Sequence, residues 1–225
     1  MVAHSMLDVI EKHVQQVLLV VEPLVSAGFI DDPETIRAVC DSVIQRPQFK
    51  ARAEAEKTTA VQQVVPYALV RNLEGKFLCA KRRTEGERVV LAGKMTMLFG
   101  GHAEKRDYDA GDPSLVFRRC VERELDEELI GLAVKEIELK GLVNDTTNEA
   151  GSKHLAFIFL VSAAGRSAIR RQTMDKEFTR DGTEWRSSEE ICRDVSGFDP
   201  WSQLVAAKLF GANVPASSQG SLFNS

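Results

Sequence analysis

Arg123-Glu124-Leu125-Asp126-Glu127-Glu128 crowds four carboxylates into six residues, some twenty positions after Gly100-Gly101-His102 closes an apolar run. Each helical residue turns by about 100°, so Glu127 and Glu128 fall on either side of the axial line through Glu124. All three then project from one face. Phe117, Val121, Leu125 and Leu129 make the adjoining apolar stripe, which would seat the helix on a sheet and leave the carboxylates at the rim of the buried surface. Like charges at i,i+4 cost about 0.2–0.5 kcal/mol each on an isolated helix, a penalty that a divalent cation reverses. Oxygen-only donors favour Mg²⁺ or Mn²⁺ over zinc. Asp126 and Glu122 point elsewhere on the same helix. A solvated acidic face is the competing reading of these six residues, and the surrounding sequence has to decide between the two.

With 225 residues, 44% of them hydrophobic, the chain can bury a sizeable core: one domain with an extension, or two small domains. The formal net charge is -4 and there is no Lys/Arg-rich block, so neither a nucleic-acid partner nor a polybasic membrane anchor is expected. Cys40, Cys79, Cys120 and Cys192 form no Cys-x-x-Cys pair, which speaks against a zinc knuckle or a disulfide framework. Acidic residues from Asp8 onward and the lack of a long apolar core predict no secretion signal. Together these features predict a cytoplasmic protein. The run Val17 to Val21 is too short to span a bilayer.

Leu7, Ile10, Val14, Val17, Leu18, Val21 and Val25 recur at steps of three and four, predicting a helix from about Ser5 to Ala27 that stops at Gly28. Asp32-Pro33-Glu34 predicts the cap of a second helix reaching Pro47. Two readings of this pair stay open: packing on its own domain, or a homodimer interface. Lys50 to Lys57 reads as a helical linker. Strands are predicted over Val61–Val70 and Lys76–Lys81, joined by a hairpin at Asn72-Leu73-Glu74-Gly75. Asp112-Pro113 predicts the capped start of a long helix to about Ile130, stopped by Gly131. Strands follow over Val134–Val143 and His154–Ser162, then a capping box at Ser187 and Glu190 and a last helix after Asp199-Pro200. The divisions expected are a helical extension over 1–58, an α/β domain over 59–211, and a disordered tail over 212–225. Strands around one central helix predict an α+β fold, an α/β/α sandwich on a mixed sheet.

A Gly pair after a strand, then a loop, then a helix bearing Arg-Glu-Leu-x-Glu-Glu resembles the Nudix box. That box runs Gly, five residues, Glu, seven residues, Arg-Glu, an aliphatic residue, one residue, Glu-Glu, one residue, Gly and an aliphatic residue. Hairpin, box, Trp185 strand and Ser-capped helix carry the resemblance over about residues 60–210. Two departures stand out. Counting from Gly101, Asp107 falls where the box has Glu, and Arg123 stands sixteen residues later rather than eight. Asp107 or Glu104 is left to replace the box Glu. Ile130 also adds one residue before Gly131-Leu132.

The resemblance implies a hydrolase that attacks a small-molecule diphosphate with water. Glu124, Glu127 and Glu128 would hold Mg²⁺ (or Mn²⁺), with Arg123 orienting a neighbouring carboxylate. Glu124 is the first candidate to take the proton from water, with Glu127 and Arg123 beside it in the catalytic set. Arg82, Arg83, His102, Gly100 and Gly101 would contact substrate; a basic turn, a loop-bonding His and simple turn glycines would need the same residues. Tyr108 and Arg106 in the long loop from Lys105 to Gly111 could do likewise. Two alternatives remain: a binding module without turnover, and an isopentenyl-diphosphate-isomerase-like enzyme. The second is weakened by Gly101 standing where that branch has an active-site Cys beside its His.

Overall fold

The computed structural model describes residues 15–20, 25–82, 93–129, 132–164 and 178–214. The predicted α+β class is what it shows. The strands are β1 (Gln16–Val20), β2 (Gly28–Ile30), β3 (Gln48–Ala51), β4 (Gln62–Arg71), β5 (Phe77–Arg82), β6 (Met95–Thr96), β7 (Phe99–Gly100), β8 (Val134–Asn144), β9 (His154–Ala163) and β10 (Phe178–Arg186). Helices are α1 (Pro33–Gln45), α2 (Arg52–Ala55), α3 (Val116–Glu128), α4 (Glu149–Ser152), α5 (Ser188–Arg193) and α6 (Pro200–Phe210).

The sheet runs β10-β5-β4-β9-β8-β2. Its centre is the parallel pair of β4 with β9, Gln63 opposite His154 and Arg71 opposite Ser162, while β8 runs antiparallel to β9. Alternation along β4 sends Val64, Ala68 and Val70 to one face and Val65 and Leu69 to the other. The first face is covered by α1 and α3 through Val39, Val43, Val116, Phe117, Cys120, Val121 and Leu125. The second is covered by α5 and α6 through Ile191, Val205 and Ala206. This sandwich fixes α3 by its apolar stripe and leaves its acidic face at the edge.

The first predicted helix is corrected. Gln16–Val20 is a strand, paired with β3 (Leu18 opposite Phe49) and with β4 (Leu19 opposite Gln63). Val17 to Val20 are buried on both faces of the strand, and an apolar run of this length fits a core strand as well as a helix. Residues 1–14 and 21–24 lie outside the described residues. The stretch read as a helical extension thus contributes β1, β2 and β3 to the sheet, with β2 adding to the far edge beside β8. The predicted linker is also a strand followed by one helical turn, β3 and α2.

The second predicted helix is present as α1, with Asp32 accepting from the Thr35 amide at 2.8 Å. The hairpin and the box at Ser187 and Glu190 are present as well. The central helix starts later than predicted. A 3₁₀ turn over Pro113–Leu115 precedes α3, and the Asp112 carboxylate accepts from the Ser114 hydroxyl instead of capping the helix. Gly131, the predicted stop, lies outside the described residues, as do Arg83 and residues 215–225.

Candidate functional site

β4 pairs with β7 as Tyr67 opposite Gly100, which brings the glycine turn beside the middle of the central strand. Gly100 has φ 142°, and a Cβ there would lie 2.3 Å from the Pro66 carbonyl oxygen. The backbone approach itself therefore requires glycine. Gly101 is required for a different reason: an added Cβ would stand 2.6 Å from Glu124 Oε1 and 2.9 Å from Oε2. The glycine makes room for a carboxylate of α3. Gly101→Ala should push that carboxylate aside and lower turnover by about 100-fold, with thermal stability nearly unchanged. Equal activity in that variant would show that the Glu124 position is not critical.

Arg123 organises the site. Its Nε donates to Asp107 Oδ1 at 2.8 Å and its Nη2 to Asp107 Oδ2 at 2.9 Å, a two-pronged pair. Nη2 also donates to the His102 carbonyl at 3.0 Å, and Nη1 donates to Glu124 Oε1 at 2.7 Å. Glu127 Oε2 lies 3.5 Å from Nη1. Burial opposes the guanidinium charge, but the Asp107 hydrogen bonds and the field of Glu124 outweigh it and raise the pKa. Asp107 is buried at 3% exposure and holds the place six residues after Gly101. Its Oδ2 also accepts from the Glu104 amide at 2.8 Å, closing a 3₁₀ turn over Lys105–Asp107.

Of the two candidates for the missing box residue, Asp107 makes the paired contact with Arg123, while Glu104 approaches it at 3.8 Å. Glu104 instead accepts from Gln15 Nε2 at 2.9 Å and pairs with Arg106 at 3.0 Å. The extra residues, 108–115, form a surface insert after this turn. It is tied down by Arg119 on Asp109 at 2.9 Å and by Tyr108 against Phe49, ring centroids 5.7 Å apart.

Burial pushes the Glu124 carboxyl above its ordinary value, with Arg123 opposing and Glu127 and Glu104 adding to the rise. Glu127 is half exposed and lies 3.5 Å from the Arg106 guanidinium. Among the described residues no three His, Cys, Asp or Glu side chains already converge as a coordination sphere; Arg123 and Arg106 stand among the carboxylates instead. The donor set is nevertheless hard oxygen on one helical face, beside a glycine cradle that a side chain would fill, and these residues fit a hard divalent ion.

The other predicted contacts separate. His102 is buried, and its ring faces His154, Nε2 to Nε2 3.2 Å. Arg82 is buried, with Nε 3.6 Å from Oδ2 of Asp199, the cap of α6, so its charge is neutralised there. Arg106, a candidate substrate contact in the long loop, lies beside Glu127. Gln15 and His154 carried no signal, because their partners Glu104 and His102 are 89 and 52 residues away in sequence. Cys120 Sγ lies 3.9 Å from the Gly101 carbonyl, and burial raises its pKa well above the ordinary thiol value, which keeps it unreactive.

No family model matches the chain, and no curated protein matches it. Solved structures do. Tm1382, a candidate Nudix hydrolase, superposes with a TM-score of 0.70 at 25% identity, over 87% of this chain and 98% of that one. The MutT protein from Methanosarcina mazei Go1 aligns at 20% identity and TM-score 0.43, over 66% of this chain and 91% of its own. A MutT Nudix hydrolase from Burkholderia pseudomallei aligns at 25% identity and TM-score 0.40, over 56% and 84%. Of these three, the first is similar enough in shape to carry weight.

Proposed function

We propose that this chain, a hydrolase of the Nudix superfamily, cleaves the diphosphate linkage of a nucleoside diphosphate derivative or other organic diphosphate by attack of water. The observation that carries this reading is the Arg123 cluster. One guanidinium is locked by Asp107 and the His102 carbonyl and holds the Glu124 carboxylate against Gly101. Glu124, Glu127 and Glu128 would hold Mg²⁺ or Mn²⁺. When bound, that ion supplies charge neutralisation at the phosphate oxygens and acidifies the attacking water.

The chain's own residues position and move the proton. Oε1 of Glu124 accepts from Arg123, so a proton from water passes to Oε2, and a buried carboxyl with a raised pKa suits that task. Arg106, 57% exposed beside Glu127, is placed to meet an incoming phosphate. The two-pronged pair of Asp107 with Arg123 supports an enzyme over a module that binds without turnover.

The test is a Mg²⁺-dependence screen across nucleotide sugars, dinucleotides, nucleoside triphosphates and prenyl diphosphates, followed by ³¹P NMR. Phosphate or nucleotide release from at least one class, abolished by EDTA and by Glu128→Gln, is expected. Binding without release across the panel would favour the module, and isomerisation of a prenyl diphosphate without release would favour the isomerase.

A further inference from the structure

Three side chains outside the Arg123 cluster meet at the N-terminal end of the central strand pair. Gln63, the second residue of β4, lies opposite His154, the first of β9, and His102 follows β7. His154 Nε2 is 3.2 Å from His102 Nε2 and 3.2 Å from Gln63 Nε2. An imidazole nitrogen carries either one proton or one in-plane lone pair, so His154 Nε2 cannot serve both neighbours well. Gln63 is fully buried, and its Oε1 has no hydrogen-bond partner. A buried acceptor left in that state calls for an explanation.

A cation among the three would give the Gln63 oxygen a partner and relieve the doubled contact at His154 Nε2. The two ends of a carboxamide have the same shape, so turning Gln63 over puts Oε1 where Nε2 stands, facing His154. Two imidazole lone pairs and one amide oxygen then point into one space. We propose that His102, His154 and Gln63 form a binding site for a borderline divalent transition ion of the Zn²⁺ or Co²⁺ type. Imidazole selects such ions over Mg²⁺, which prefers the carboxylates of α3. His154 is partly exposed, which leaves a path for entry. The site would also stiffen the catalytic turn, because the His102 carbonyl accepts from Arg123 at 3.0 Å. A reporter is built in: the Trp201 ring lies 6.3 Å from the His154 ring, its indole held by Asp145 at 3.2 Å.

The experiment titrates Co²⁺ into the full chain in saturating Mg²⁺, so that the α3 carboxylates are already engaged, reading visible absorption and tryptophan fluorescence. One ion per chain, with ligand-field bands of nitrogen coordination and quenched emission, is expected. Both signals should persist in Glu127→Gln and weaken by at least about ten-fold in His154→Phe and in Gln63→Leu. Should those variants fail to fold, ¹⁵N NMR of the wild-type chain with Zn²⁺ decides. The Nε2 resonances of two of the four histidines should move, and they should be those of His102 and His154. No Co²⁺ binding in the presence of Mg²⁺, undiminished binding in His154→Phe, or shifts confined to His4 and His13 would each overturn the proposal.

Discussion

Replacing Arg123 by Leu will destabilise the chain by about 3–5 kcal/mol, the usual consequence of leaving a buried charge without its partner. Asp107 is 3% exposed and both of its oxygens are bonded to this guanidinium. The His102 carbonyl would lose its Arg123 donor as well. The effect should appear as a lower urea midpoint with an unchanged slope. Adding Asp107→Leu to Arg123→Leu should recover much of the loss, because the stranded carboxylate is then gone. If Arg123→Leu lowers the unfolding free energy by less than about 1 kcal/mol, within the range of an exposed pair, the cluster is not the anchor.

The second large effect is on turnover. Glu124→Gln should lower kcat by about 10²–10⁴-fold, the range for loss of a positioned proton acceptor. Stability should move the other way in metal-free buffer. Burial raises the folded-state pKa of Glu124 above its unfolded value, so the folded chain holds this proton more tightly. The contribution of Glu124 to stability is then fully present below the ordinary carboxyl pKa and is lost as pH rises through the elevated folded value. At neutral pH without metal, the ionised group is a liability that Gln removes. Glu124→Gln should therefore match or exceed the wild-type midpoint at pH 7, with the difference shrinking as the pH falls below the carboxyl range. Added Mg²⁺ should stabilise the wild-type chain more than the variant. A variant that is less stable than wild type at pH 7 in EDTA would show that Arg123, not burial, dominates this carboxylate.

The legible parts of the fold were those with local signals. The i, i+3, i+4 carboxylates and the apolar stripe beside them announced α3 and its exposed edge. Counting six residues from Gly101 pointed at Asp107, and the surplus before Arg123 is the insert at 108–115. Caps at Asp32, Ser187 and Asp199 marked three helix starts correctly. Asp112 misled, since Asp-Pro opens a 3₁₀ turn as readily as an α-helix and the Asp112 side chain found Ser114.

What failed was decided at a distance. Gln16–Val20 has the composition of a buried segment of either kind, and only pairing with β3 and β4 makes it a strand. Nothing near Arg82 in sequence foretold its ion pair with Asp199. His154 and Gln63 meet through a parallel pairing that no short window can contain.

Hydrolysis should depend on a divalent ion held by the α3 carboxylates. Electron paramagnetic resonance of Mn²⁺ tests this most directly, titrating wild type, Glu124→Gln, Glu127→Gln and Glu128→Gln, with turnover measured on the same samples. A Mn²⁺ site in the wild type that Mg²⁺ displaces, and that weakens in step with activity in the variants, is the predicted result. Mn²⁺ binding and turnover both undiminished in the three variants would contradict the claim.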